Sequence, residues 1–151
     1  MDLTAIRTGL ELARVDARLD DWRETRHAGV AWKPLHVEGD SGARDPAAAT
    51  VLIRMAPGAS YPEHEHLGIE EVLILAGGYR DGLGEHRAGS YLRYAAGSRH
   101  APVALGDPDA PVGEQNPACI LFAVAHGGVR NTVASVSDRG TEPRDPSTGT
   151  R

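Results

Sequence analysis

The sequence predicts an all-β fold, a sandwich or small barrel, and two observations carry that prediction. Glycine (18) and proline (10) are frequent among the 151 residues, which favours turns over long helices. Short strand-like runs recur at a spacing of roughly 8–12 residues with Gly or Pro between them. The length fits one domain around one hydrophobic core.

The elements follow in chain order. Residues 13–19 alternate Ala13, Val15, Ala17 and Leu19 with Arg14, Asp16 and Arg18, the pattern of a half-buried strand. A short helix over residues 2–18 competes, because Leu3, Ile6 and Leu10 keep helical spacing. Residues 1–28 therefore read as an extension that packs on the barrel or on a second subunit. Residues 29–136 read as the barrel. Residues 40–49 are polar and small, a surface loop. Further strands are expected over residues 30–37, 50–55, 70–75, 79–81, 90–94, 100–104 and 118–125. Turns are expected at Gly77-Gly78, Asp81-Gly82 and Ala96-Gly97-Ser98. The run Val72-Leu73-Ile74-Leu75 is apolar at every position and predicts a strand buried on both faces. Its outer cover would be the N-terminal segment or a second copy, so a homodimer is expected. Residues 137–151 are polar and rich in Pro, Gly, Ser and Thr, and read as a disordered tail.

Composition narrows the function. A net charge of −5 and 5% aromatic residues argue against nucleic acid. The longest apolar run is too short to cross a membrane, and residues 1–10 lack a secretory pattern, so the expected location is cytoplasmic. Cys119 is the single cysteine, so any metal is held by nitrogen and oxygen. In its apolar strand it reads as a small buried hydrophobe.

The chemistry concentrates in two segments. In Gly58-Ala-Ser-Tyr-Pro-Glu-His64-Glu-His66-Leu-Gly-Ile-Glu70-Glu-Val, strand alternation puts His64 and His66 on one face. A turn at Leu67-Gly68-Ile69 would set Glu70 opposite His66 on the returning strand, with Glu71 pointing away. In Gly89-Ser-Tyr-Leu-Arg-Tyr-Ala-Ala-Gly97-Ser-Arg-His100, a tight turn at Gly97 would bring His100 back as a fourth ligand. Three imidazoles and one carboxylate suit one divalent ion: Fe, Zn, Mn or Ni, with Fe or Zn foremost.

The residues around that set invite assignment too. Tyr61, Glu63, Arg54, Tyr79, Tyr91 and Arg93 are candidates to line the cavity. Tyr91, Arg93 and Arg54 are the candidates for catalysis, an arginine to clamp a carboxylate and a tyrosine to donate a proton. Tyr91 and Arg93 share one strand face, Leu92 and Tyr94 the other, so only one pair faces the ligands. His27, His36, His86 and His126 sit in no ligand spacing and read as surface or hydrogen-bonded histidines. Trp22, Trp32 and Phe122 read as core or interface residues.

These segments resemble the cupin superfamily. Its first motif, G-x5-H-x-H-x3,4-E-x6-G, is matched by Gly58, His64, His66, Glu70 and Gly77. Its second, G-x5-P-x-G-x2-H-x3-N, is matched at Gly89, Gly97 and His100, with Ala95 in place of the proline and Ala104 in place of the asparagine. The resemblance covers residues 32–124. Asp81, Gly84 and Ala88-Gly-Ser-Tyr91 extend it to the ChrR-like single-domain branch. It implies a double-stranded β-helix or jelly-roll barrel with the four ligands named above. It further implies a metal-dependent, non-haem oxygenase acting on a small diketone or aromatic ketone, similar to acetylacetone- and dihydroxyacetophenone-cleaving dioxygenases. The alternatives are a non-catalytic zinc- or ligand-binding sensor module and a Lewis-acid isomerase or lyase. Anti-sigma members of that branch carry a further N-terminal zinc domain with His and Cys ligands. No cysteine precedes the barrel here, so an anti-sigma role is not favoured.

Overall fold

The computed structural model describes residues 21–38 and 48–132. Within them every regular element is a strand, in line with the all-β reading, and no helix is long and apolar enough to cross a membrane. The expected strand or helix over residues 2–19, loop residues 40–47 and the tail at 137–151 lie outside the described residues.

The strands are β1 (Arg23–Glu24), β2 (Val30–Glu38), β3 (Ala48–Met55), β4 (His64–His66), β5 (Glu70–Ala76), β6 (Gly78–Asp81), β7 (Gly84–Arg87), β8 (Tyr91–Tyr94), β9 (Arg99–His100), β10 (Val103–Ala104), β11 (Cys119–Ala125) and β12 (Val129–Asn131). They form one six-stranded sheet, β1-β2-β3-β11-β5-β8, and two three-stranded sheets, β10-β6-β7 and β12-β4-β9. Every pairing is antiparallel.

Strand alternation builds the core. On β11, Cys119, Leu121, Ala123 and Ala125 are buried, while Ile120, Phe122 and Val124 are half-buried on the outer face. Val30, Val51, Met55, Val72 and Ile74 join Leu121 from neighbouring strands of the large sheet, and Tyr79 and Ala104 meet them from a small sheet. At about 25 cal/mol per Å² of apolar surface, this shared interior is what holds the sheets together.

Three expectations are corrected. Val72 and Ile74 are buried, but Leu73 is 38% and Leu75 51% exposed, so among the described residues β5 is covered on one face only, and the N-terminal segment expected as a cover lies outside them. The strand expected over residues 100–104 splits into β9 and β10, which belong to different small sheets. Pro102 lies between them and has no N–H to extend a ladder. The third concerns Glu70. No hairpin joins β4 to β5, because β4 pairs with β12 and β9, and β5 with β11 and β8. Residues 67–69 instead carry the chain from a small sheet into the large one.

That crossing is tight. Leu67 N–H donates to Gly128 O and His126 N–H to Ile69 O, at 3.0 and 2.9 Å. A Cβ on Gly68 would lie 2.6 Å from the Gly127 nitrogen and 2.9 Å from its Cα. Backbone cannot yield as a side-chain tip does, so Gly68→Ala should lower the melting temperature by at least about 5 °C. Gly82→Ala, where an added Cβ meets nothing within 4 Å, should leave it within about 2 °C. Thermal melts followed by circular dichroism check the pair.

Candidate metal centre

β4 is the middle strand of its sheet, so its inward side chains meet partners from both neighbours. His64 and His66 are buried on one face, and Glu65 between them points outward to Arg99 and Arg130. His64 is in register with His100 on β9, which puts their rings on the same side. Gly97, at φ 81°, makes the turn that returns the chain to β9. Glu70 enters from the crossing as the first residue of β5. Ligand atoms of His64, His66, Glu70 and His100 all lie within 4.8 Å of one another.

Hydrogen bonds assign each ring. His64 Nδ1 lies 3.0 Å from Pro62 O, which can only accept, so Nδ1 carries the proton. Ser98 gives its hydroxyl proton to Ala95 O at 2.6 Å and so accepts from His66 Nδ1 at 2.9 Å. His100 Nδ1 donates to Asp81 Oδ2 at 2.9 Å. Every ring therefore presents a bare Nε2 to the centre. The Nε2 atoms of His64 and His100 face each other at 3.0 Å. Nε2 of His66 faces Glu70 Oε2 at 2.9 Å, and it is buried without a hydrogen-bond partner. Lone pair against lone pair and lone pair against carboxylate are repulsive contacts, and a shared cation converts both to attraction. The donor set fits a divalent metal.

Electrostatics keeps the His64 and His100 rings in ligand form. Burial pushes His64 down to about 4; the Pro62 carbonyl opposes this and nearby His100 adds to it. Burial also lowers His100, against the pull of Asp81. Neutral imidazoles at pH 7 need lose no proton to bind metal. Asp81 behaves oppositely. Burial alone would raise it, but hydrogen bonds from His100, Tyr94, the Leu83 amide and His86 hold it well below the usual carboxylate range. Tyr94 donates to Asp81 Oδ2 at 2.7 Å, so Tyr79 is the donor in the 2.7 Å contact between the two phenols. Burial raises both phenols, so both keep their protons.

The centre opens on a cavity of about 790 Å³. His64, Glu70 and His100 line its floor, and Val30, Trp32, Val51, Ile53, Val72 and Leu121 are among its apolar walls. His66 is fully buried.

The four residues read from the motifs come together, and the crossing rather than a hairpin delivers Glu70. Tyr61 and Tyr79 line the cavity; Glu63, Arg54, Tyr91 and Arg93 do not. Tyr91 is 59% exposed and donates to Glu71 Oε1, and Arg93 is exposed beside it. Arg54 pairs with Glu24 at 3.2 Å and lies over the Trp22 ring. The three catalytic candidates thus stand on the outer face of the large sheet. Glu71 points away from the centre, to His126 and Tyr91. His27, read as a surface or hydrogen-bonded residue, accepts from Arg26 Nε at 3.4 Å and also lines the cavity edge-on to Tyr61. His86 is hydrogen-bonded to Asp81. Cys119 is fully buried, and burial pushes its thiol up to about 11.

Asp81 and Ser98 are positions at the site that sequence reasoning missed, and Tyr94 is the tyrosine of its strand that faces inward. Asp81 was visible only as a turn residue and in the resemblance to the ChrR-like branch, and Ser98 only as a turn residue.

An antiparallel β-sandwich that focuses three imidazoles and a carboxylate into its cavity defines a metal-binding cupin. The model of the ChrR cupin-like domain matches residues 11–110, and the chain belongs to that family. In the solved complex of Rhodobacter sphaeroides SigE with the anti-sigma ChrR, one chain is 29% identical over 72% of this chain, with a TM-score of 0.54; the match spans 50% of that chain. An acetylacetone dioxygenase from Acinetobacter johnsonii aligns at 17% identity and a TM-score of 0.57, over 74% of this chain and 71% of its own. The polyketide cyclase RemF from Streptomyces resistomycificus aligns at 21% and 0.51, over 76% and 78%. No curated protein matches.

Asp81 is the anionic anchor of His100. Asp81→Asn should weaken metal binding by about 10–100-fold, the usual effect of losing such an anchor, while Tyr91→Phe should leave it unchanged. Competition against a chelator of known affinity measures both.

Proposed function

We propose that the protein is a metal-dependent oxygenase acting on a small diketone or aromatic ketone. The observation that carries this reading is the meeting of three bare Nε2 atoms and Glu70 at the floor of a largely apolar cavity. His64 and His100 Nε2 stand 3.0 Å apart and His66 Nε2 and Glu70 Oε2 2.9 Å apart, and all four ligand atoms lie within 4.8 Å of one another, so these residues would hold one divalent ion between them.

A divalent ion bound there would supply positive charge to draw in the oxygens of an enolised dicarbonyl and, as iron, electrons for reaction with dioxygen. The remaining work falls to the chain. Glu70 brings the net charge of a divalent site to +1 and so moderates its pull on substrate oxygens. Asp81, Ser98 and the Pro62 carbonyl fix the ring orientations before substrate arrives. The apolar wall limits water around the reacting atoms. Tyr79 stays protonated and gives its proton to Tyr94, so it braces Tyr94 against Asp81 rather than acting as a base.

A second reading is a zinc-binding sensor module, and the 29% identity to a chain of an anti-sigma complex favours it. Oxygen consumption separates the two. Protein loaded anaerobically with ferrous iron and mixed with pentane-2,4-dione or 2-hydroxyacetophenone in aerated buffer should take up oxygen as substrate disappears. His66→Ala should abolish the uptake. Uptake no faster than that of buffered iron alone would contradict the oxygenase reading and leave the sensor.

A further inference from the structure

One polar atom in the cavity is left over by everything above. Asn131 on β12 is in register with His64 on β4, so the two side chains stand on the same face with Cβ atoms about 4.5–5.5 Å apart. Asn131 lines the cavity. Its Oδ1 is buried and finds no hydrogen-bond partner. A buried carbonyl oxygen without a donor is costly, and such groups in folded proteins usually have a reason to be there.

The rest of the lining limits what could satisfy it. Among the described residues, Arg26 and Arg130 are the arginines that line the cavity, and both are exposed. Arg130 turns outward to Glu65 at 3.1 Å. The inner walls are apolar, and the floor carries Glu70. Among the described residues, no inner-wall side chain would anchor a carboxylate or phosphate on the body of the ligand.

We infer that Asn131 is a specificity-determining residue, and that the cavity takes a neutral ligand carrying an O–H or N–H donor beside the oxygens it offers the metal. This deepens the ketone reading and rests on it. A 1,3-diketone has no proton to spare once it binds as its enolate. An aromatic ketone with a second hydroxyl retains one, and Asn131 Oδ1 is the acceptor placed to take it. The structure thus favours the hydroxylated aromatic ketone over the simple diketone.

Binding to zinc-loaded protein tests this without turnover, using 2,6-dihydroxyacetophenone and 2-hydroxyacetophenone as probes. The first should bind about 5–10-fold more tightly, the worth of one hydrogen bond. Asn131→Leu should bring that ratio to about one with zinc content unchanged. Asn131→Asp, which keeps an acceptor, should preserve it and guards against a misfolded leucine variant. Equal affinity of the two probes for the wild type, or an undiminished ratio in Asn131→Leu, overturns the assignment. Failure of the oxygenase reading has a different signature: the preference stays with Asn131 while ferrous protein consumes no oxygen with either probe.

Discussion

Three histidines in this protein are held by their Nδ1 protons, and that constraint shapes the site. Pro62 O, Ser98 Oγ and Asp81 Oδ2 take those protons. Each ring is left with one way to turn and a bare nitrogen at its inner end. The inner ends of His64 and His100 stand 3.0 Å apart, and that of His66 stands 2.9 Å from Glu70, distances at which each pair repels unless a cation lies between them. Ring orientation and burial point to that arrangement, and the lowered pKa values of His64 and His100 add to it. A site this organised carries electrostatic cost in the metal-free protein, and bound metal stabilises the fold by mass action.

The three anchors sit on different parts of the chain, which is why the sandwich architecture matters. Pro62 precedes β4, Ser98 precedes β9, and Asp81 ends β6. Their convergence requires that β4 lie between β9 and β12 and that the chain leave β4 for the other sheet at once. Gly68 against Gly127 makes room for that departure. The large sheet then provides the apolar wall through alternate residues of β3, β5 and β11, and the cavity lies between wall and ligands. The same alternation sends Tyr91, Arg93 and Arg54 to the outside, where they pair with Glu71, stand exposed, or stack on Trp22.

Much of this was legible from residue spacing. His64 and His66 on one strand face, and a glycine turn returning His100, needed only strand periodicity and the positive φ that Gly97 permits. Glu70 was read as a ligand for the wrong local reason: a three-residue link looks the same in sequence whether it closes a hairpin or crosses between sheets. The orientation of β5 was hidden because Val72-Leu73-Ile74-Leu75 is apolar throughout, so periodicity has no polar position to mark the outer face. β1, β7 and β12 escaped because Arg23-Glu24, Gly84-Glu-His-Arg87 and Val129-Arg-Asn131 lack apolar alternation. Their pairing is dictated by neighbouring strands rather than by their own sequence. The contact of Asp81 with His100 has no local signature, since the two are distant in sequence.

The account stands on four donors sharing one cation. Titrating metal-stripped protein with cobalt(II) while recording its visible spectrum, followed by X-ray absorption at the metal edge, tests that most directly. Saturation at one equivalent, with a shell of three imidazole nitrogens plus carboxylate oxygen that disappears in the triple variant lacking His64, His66 and His100, is the predicted result. Cobalt that binds the triple variant as tightly as the wild type, or a shell without imidazole, would contradict it.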